Sequence, residues 1–423
     1  MKKITRLTVA VAMLLAVVMS LSGCLWLGGL RNGEYMTKEE VEALIAGQLG
    51  GDVTIDNVNN YDIEIKNSGN GNLTAAAKAV LSSVRIIANH KRYHSYTGGV
   101  TSYSAEGAGT IYKLDKTTGT AFIITNFHVV YDSASNTQNH ISDDIDLRLY
   151  GMEDEKYNIP ATYVGGSMTL DLAVLKVENS SILATSNAMQ VDVVESSDDV
   201  AILDTAIAVG NPASGGLSAT VGCINVDGEY ITMTAADGTT AISLRLFRID
   251  TAVNSGNSGG GLYNDKGQLI GVVNAKLSSS TIDSIGYAIP SNVAKFAADN
   301  IIKYCDGTDL ENPYKYYIGI NMDRTDYYTE YDTETGKVHK LERVAISAVT
   351  VGSVSDGLFV VGDVIKKITI DGKEYTIDRM YQVIDCMYSV YENSTLIITV
   401  EHADKTTEDI TVPLTSLTPQ KVK

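Results

Sequence analysis

Three residues of this chain can do nucleophilic chemistry together, and they occur in the order His128, Asp171, Ser258. Ser258 sits in the glycine-rich run Asn254-Ser255-Gly256-Asn257-Ser258-Gly259-Gly260. His128 falls in Thr125-Asn126-Phe127-His128-Val129-Val130, at the end of an apolar stretch, and Asp171 opens Asp171-Leu172-Ala173-Val174-Leu175. A serine hydroxyl is a poor nucleophile at neutral pH and needs a base within hydrogen-bond reach, and the base needs a carboxylate to orient it. His128 is the candidate base, Asp171 the orienting group and Ser258 the nucleophile. The loop Gly256, Asn257, Ser258 is the candidate oxyanion hole. Glycine there permits the backbone dihedrals that turn successive amides inward, and the Gly256 and Ser258 amides can each contribute about 3–4 kcal/mol to a developing oxyanion.

The elements needed to hold such groups are short strands. With 423 residues and 44% apolar content, the chain has room for two or three domains with cores of their own. Six prolines against 37 glycines, with many Val, Ile, Thr and Tyr, lean toward β structure. A helix over Leu73–Val84 leads into a strand at Val84–Ala88. Further short β-forming runs follow at Gly109–Leu114, Ala121–Thr125, Asp146–Leu149, Leu172–Val177, Ala206–Gly210, Thr220–Val226, Ser243–Ile249, Gly261–Tyr263, Leu269–Ala275 and Ser284–Ile289, before a helix at Ser291–Tyr304. Many short strands between Gly/Asn/Asp turns predict paired β-barrels over residues 73–304. After a linker at 305–312, a second domain over 313–418 is expected, with strands at Val344–Val349, Val364–Ile370, Leu396–Val400 and Ile410–Leu414. It carries an Asp371-Gly372 hairpin turn, and Ile377, Met380, Val383, Ile384 and Met387 at helical spacing form a core stripe.

The start of the chain reads as an export signal. Lys2, Lys3 and Arg6 precede the apolar run Leu7–Leu21, which is shorter than the about 20 apolar residues a membrane-spanning helix needs, and Leu21-Ser22-Gly23-Cys24 closes it. That ending resembles a bacterial lipobox, which implies removal of residues 1–23 and lipidation of Cys24. Residues 24–72 then form a tether, with a short amphipathic helix at Thr37–Leu49 and a loop-like spacer from Gly50 to Asn72. The remaining Cys223, Cys305 and Cys386 are odd in number and widely spaced, so they read as buried thiols and not as a disulfide framework. The net charge of −18 argues against binding nucleic acid. His90 and His94, four residues apart, lack a carboxylate partner and read as solvated loop; His140, His339 and His402 have no chemical context. The acidic runs at 143–146 and 153–155 lack EF-hand spacing. No metal or cofactor is expected, and no GxxxxGK[ST] phosphate loop is present.

The order His, Asp, Ser is that of chymotrypsin-type hydrolases. Together with Gly107-Ala108-Gly109, Gly210-Asn211-Pro212, Asp250-Thr251-Ala252 and Gly286-Tyr287-Ala288-Ile289-Pro290, these motifs resemble the HtrA/Deg family of serine proteases over residues 75–415. The resemblance implies a mainly β chain: a trypsin-like double β-barrel followed by a PDZ-like αβ domain. It implies an ATP-independent endopeptidase acting on misfolded or regulatory exported proteins, lipid-anchored at the bacterial cell envelope and assembled as a homo-trimer. By analogy with trypsin-like folds, Ala252 lies at the base of the pocket for the substrate side chain, with 276–285 as another wall. Tyr317, Ile318, Gly319 and Ile320 would form the loop that holds a peptide's C-terminal carboxylate, with Gly362-Asp363-Val364-Ile365 as a second landmark; an unrelated αβ module is the alternative. Two positions depart from the family pattern: Ser255 and Gly261 stand where proline is usual, which raises backbone freedom in the catalytic loop. Two other functions compete. One is a PDZ-based chaperone or binding protein with little proteolysis. The other is an α/β-hydrolase esterase, since Gly256–Gly260 also satisfies GxSxG; that fold needs a helix after the serine and a histidine downstream.

Overall fold

The computed structural model describes residues 53–57, 62–65, 71–93, 99–274, 285–305, 307, 314–414 and 420–421. The export signal, Cys24, the helix expected at Thr37–Leu49, positions 276–284 of the pocket wall and most of the linker lie outside the described residues. Where a featureless spacer was expected, β1 (Val53–Asn57) and β2 (Asp62–Ile65) pair as an antiparallel hairpin. The Val53-Thr54-Ile55 and Ile63-Glu64-Ile65 alternation supplies the β-forming residues that the surrounding Asn and Asp had masked.

Helix α1 (Gly71–Leu81) buries Ala75 and Ala79 and leads into the first barrel. Its strands are β3 (Ser83–Tyr93), β4 (Val100–Asp115), β5 (Thr120–Thr125), β6 (Asp144–Arg148), β7 (Ile159–Ser167) and β8 (Leu172–Val177), closed in the order β3-β4-β5-β8-β7-β6. The single helical turn α2 (Phe127–Val130) follows β5, and α3 (Ser181–Thr185) follows β8. Strand β7 escaped the sequence reading, its pattern broken by Pro160, Gly165 and Gly166. Strand β8 is apolar along its whole length for a reason. Ala173, Leu175 and Val177 point into the first barrel, while Leu172 and Val174 face the core shared with the second.

The second barrel comprises β9 (Thr205–Gly210), β10 (Ser218–Thr234), β11 (Ala241–Ile249), β12 (Gly261–Tyr263), β13 (Leu269–Val273) and β14 (Gly286–Pro290). It closes in the order β10-β11-β14-β13-β12-β9. Ile224, Phe247, Leu262 and Val273 fill it, while Val209, Leu246, Tyr263 and Val272 face the shared core. The fully buried Tyr263 satisfies its hydroxyl on Ser83 Oγ at 2.9 Å, tying the two barrels together. Helix α4 (Ser291–Tyr304) begins directly after Pro290 and seats Val293, Ala294, Ala297 and Ile301 in the same core.

The C-terminal layer contains β15 (Tyr314–Lys315), β16 (Ile320–Tyr331), β17 (Val338–Val349), β18 (Val364–Ile370), β19 (Lys373–Thr376), helix α5 (Met380–Cys386), β20 (Leu396–Glu401), β21 (Thr407–Val412) and β22 (Gln420–Lys421). Its main sheet runs β16-β17-β18-β20-β21, with β19 folded onto β18. The predicted Asp371-Gly372 turn is there, both residues at positive φ (51° and 83°) as a two-residue hairpin needs. The chain is therefore mainly β, a trypsin-like double barrel followed by a PDZ-like αβ domain.

That domain docks on the second barrel through an interaction absent from the sequence reading. Arg245 is buried between Asp385 Oδ2 (2.7 Å) and Asp198 Oδ1 (3.1 Å), its guanidinium carbon 3.6 Å from the Tyr381 ring centroid. Burial pushes the Asp385 carboxyl up to about 7, against the pull of Arg245. Of the three cysteines among the described residues, Cys386 is buried as expected, whereas Cys223 and Cys305 are partly exposed; all three are free thiols. His90 is a correction: it lies in β3, fully buried and stacked on Tyr103, because the segment 131–143 folds over it. Asn136 N–H donates to the Lys91 carbonyl at 2.8 Å and Ser142 Oγ to that of Asn89 at 2.6 Å.

Candidate active site

His128 is carried on α2, whose Phe127, Val129 and Val130 are all buried. The apolar run that reads as strand thus ends in one helical turn that presents His128 on its only polar face. Asp171 precedes β8 at φ 52°, a left-handed conformation a non-glycine residue adopts only when held. Asn126 Nδ2 holds it, donating to the Asp171 carbonyl at 2.8 Å. Ser258 is 6% exposed, and its carbonyl accepts from the Ala108 N–H across the barrel interface at 2.9 Å.

These restraints bring all three residues together. His128 Nδ1 lies 2.7 Å from Asp171 Oδ2, His128 Nε2 lies 2.8 Å from Ser258 Oγ, and the His128 backbone N–H donates to Asp171 Oδ1 at 3.0 Å. A carboxylate only accepts, so Nδ1 carries the proton and Nε2 is free to accept from the serine hydroxyl. Asn274, which the sequence reading missed, donates through Nδ2 to Asp171 Oδ2 at 2.9 Å. The available signal was a single polar residue closing the wholly apolar strand β13.

The serine turn is built around two glycines. At Gly256 (φ 95°) a Cβ would stand 2.0 Å from the Asn211 carbonyl oxygen; at Gly259 (φ 80°) it would stand 2.1 Å from Thr125 Oγ1. Asn257 N–H donates to the Asn254 carbonyl (3.0 Å), Ala213 N–H to Ser255 (3.1 Å) and Asn211 N–H to Gly256 (3.1 Å). The turn is therefore ordered despite Ser255 in the usual proline position. Gly261 also has a local reason, since a Cβ there would lie 2.3 Å from the Tyr263 ring. Among the described residues, neither the Gly256 nor the Ser258 N–H has a hydrogen-bond acceptor. This is the arrangement an oxyanion would complete. Ala252 is exposed, and its carbonyl accepts from Thr220 Oγ1 and Asn257 Nδ2, both at 3.3 Å.

In the C-terminal domain, Tyr317 is exposed while Ile318 and Ile320 are buried, and Gly319 takes φ 83° against Ser353. A groove of about 150 Å³ runs beside this loop, walled by Ile318, Ile320 and Met322 on one side and, on the other, by Val383 and Ile384 of α5 and Met387 just after it. The helical stripe expected to be core is split: Val383 and Met387 belong to the core, and Ile384 faces the groove. Asp363, from the second landmark, is buried, with the Val360 N–H on Oδ2 (3.0 Å) and His402 Nδ1 on Oδ1 (2.8 Å).

Comparison with known proteins agrees with the geometry. Residues 107–272 match the family described as a trypsin-like peptidase domain. The chain is 32% identical over 245 residues to the serine protease Do-like HtrA of Lactococcus lactis subsp. cremoris (strain MG1363), covering 53% of this chain and 55% of that protein. It is 29% identical over 333 residues to the serine protease Do-like HtrA of L. lactis subsp. lactis (strain IL1403), covering 71% and 73%. With the serine protease Do-like HtrA of Bacillus subtilis (strain 168) it shares 33% over 221 residues, covering 52% and 43%. The match spans about half the length of the first and third relatives. The chain is thus similar, over part of its length, to serine proteases of the HtrA type.

Proposed function

We propose that the chain is an exported, ATP-independent serine endopeptidase in which Ser258 attacks the substrate carbonyl. The hydrogen-bonded series Asp171–His128–Ser258 carries this reading. His128 Nε2 takes the hydroxyl proton as Ser258 Oγ bonds to the carbonyl carbon, and the Gly256 and Ser258 amides hold the resulting oxyanion. His128 then returns the proton to the leaving amine, and water, activated in the same way, hydrolyses the acyl-enzyme. Asp171 keeps the imidazole in the required tautomer. The exposed Ala252 suits a small aliphatic substrate side chain.

The groove beside Tyr317, Ile318, Gly319 and Ile320 supports capture of C-terminal peptides by strand addition along β16. A lipid on Cys24, a bacterial envelope location, a homo-trimer and substrates among misfolded or regulatory exported proteins complete the proposal. The competing PDZ-based binding protein draws on the same groove. The esterase reading does not fit: Ser258 is followed by strand β12 rather than a helix, and its histidine lies upstream.

The test compares fluorophosphonate labelling and cleavage of unfolded casein by the wild type and Ser258→Ala, with and without apolar C-terminal peptides. Both activities are expected in the wild type and absent in the variant. A folded wild type with neither, peptide present or not, makes the chain a binding protein. Mass spectrometry of the membrane-extracted protein checks Cys24.

A further inference from the structure

The serine turn is held from two sides by strand β4 of the first barrel, and one of the holds is indirect. On the direct side, the Ala108 N–H donates to the Ser258 carbonyl at 2.9 Å. On the other side the loop after β9 grips the turn, Ala213 N–H on the Ser255 carbonyl and Asn211 N–H on the Gly256 carbonyl, both at 3.1 Å. A trans peptide sends its C=O and N–H in opposite directions, so fixing the Ser255 carbonyl also fixes where the Gly256 N–H points.

The gripping loop does not hold this shape by preference. Ala213 and Ser214 both adopt left-handed backbone, φ 51° and 60°, which non-glycine residues avoid. The fully buried side chain of Asn211 holds the loop. Its Oδ1 accepts from the Gly216 N–H at 2.9 Å, closing the loop on itself, and its Nδ2 donates to Glu106 Oε2 at 3.0 Å. Arg85 fixes the same carboxylate oxygen through Nε (3.1 Å) and Nη2 (2.8 Å). Arg85 and Glu106 belong to β3 and β4. A polar relay therefore crosses from the first barrel to the peptide that carries an oxyanion donor.

We infer that Glu106 is a positioning residue for the Gly256 oxyanion donor, acting through Asn211. The inference rests on the hydrolase reading above. Glu106 touches neither substrate nor the reacting atoms; its effect is on where one N–H points when negative charge develops. Such an effect falls on kcat and on transition-state affinity, and leaves ground-state binding alone.

The experiment uses the full chain as wild type, Glu106→Ala, Glu106→Gln, Asn211→Ala and the Glu106→Ala/Asn211→Ala double variant, with thermal melts to establish folding. The readouts are kcat and KM on dye-labelled unfolded casein and inhibition by a valine boronic acid, whose tetrahedral adduct places an oxygen in the oxyanion position. Glu106→Ala and Asn211→Ala should each lower kcat by about 10–100-fold with KM within about twofold. Boronate affinity should fall in parallel. Glu106→Gln still offers Asn211 a carbonyl acceptor and should stay within about threefold of wild type. The double variant should be no worse than the worse single one, because the two residues act in series.

An unchanged kcat in Glu106→Ala, a loss confined to KM, or additive losses in the double variant would overturn the inference. If Glu106→Ala does not fold, because Arg85 loses its shorter ion pair and keeps only Glu153 at 3.4 Å, a normal kcat in folded Asn211→Ala would do the same. A wild type lacking Ser258-dependent labelling would instead remove the hydrolase reading, and this inference with it.

Discussion

Two histidines in this molecule make the same first hydrogen bond and are left with different chemistry. In the barrels, His128 Nδ1 meets Asp171 Oδ2 at 2.7 Å; in the C-terminal domain, His402 Nδ1 meets Asp363 Oδ1 at 2.8 Å. Each aspartate is 3% exposed. The difference lies at Nε2, which faces the Ser258 hydroxyl at 2.8 Å in one case and the Glu408 carboxylate at 3.1 Å in the other. A hydroxyl opposite Nε2 has a proton to give, so the imidazole can serve as a base. A carboxylate there only accepts, so it stabilises the doubly protonated ring. Asp363 first and Glu408 second raise the His402 pKa above its ordinary value. A His–Asp pair is therefore no catalytic signature by itself; the third partner decides.

Breaking the catalytic side should give the largest effects. Ser258→Ala or His128→Ala is expected to lower kcat on casein by about 10⁵–10⁶-fold, while Asp171→Asn, which leaves Nδ1 a poorer partner, costs about 10⁴-fold. Single-turnover kinetics on the three variants would check that order. Gly256→Ala comes next. Its Cβ cannot coexist with the Asn211 carbonyl 2.0 Å away, so the turn must shift, and a loss of about 10²–10³-fold in kcat is expected together with a lowered melting temperature.

The other side of the comparison is a matter of stability. His402→Gln should leave kcat/KM within about twofold of wild type. A raised histidine pKa means the folded state holds its proton more tightly than the unfolded state. Its stabilisation is complete below the unfolded value near 6.5 and disappears as pH rises through the higher folded value. The wild type should melt above His402→Gln on the acid side, and the gap should close at alkaline pH, in thermal melts from about pH 5 to about pH 9. The smallest effect belongs to Glu408→Gln, which removes only the second-ranked cause: the pH at which the gap closes should move down without reaching the His402→Gln profile. Equal melting curves for wild type and His402→Gln at every pH would end the comparison.

Much of the barrel architecture was legible in the chain. Strands β8 and β12, helix α4 and the Asp371-Gly372 turn fall where periodicity and turn residues put them, because each depends on local preference and on burial of its own residues. Strand β7 and the long hairpin strand β16 were not. Pro160, Gly165 and Gly166 interrupt the first, and the tyrosine- and acid-rich face of β16 hides its strand character until β17 pairs with it. His402 read as a histidine without context, since Asp363 lies 39 residues upstream and only the β18–β20 pairing brings the two together.

The sequence alone determined which groups are available for chemistry: a serine in a turn that needs glycine at two positions, a histidine and an aspartate each beside an apolar strand, and their order along the chain. Composition and hydrophobic period also determined that short strands would carry them. Only the tertiary structure decided which histidine–aspartate pair faces a hydroxyl, that Asn274 joins Asp171, and that Glu106 reaches the serine turn through Asn211. Propensity and turn chemistry act over a few residues and leave a local record. Hydrogen-bond partners 100 residues apart leave none, because any strand pairing that buries the same apolar faces satisfies the same local pattern.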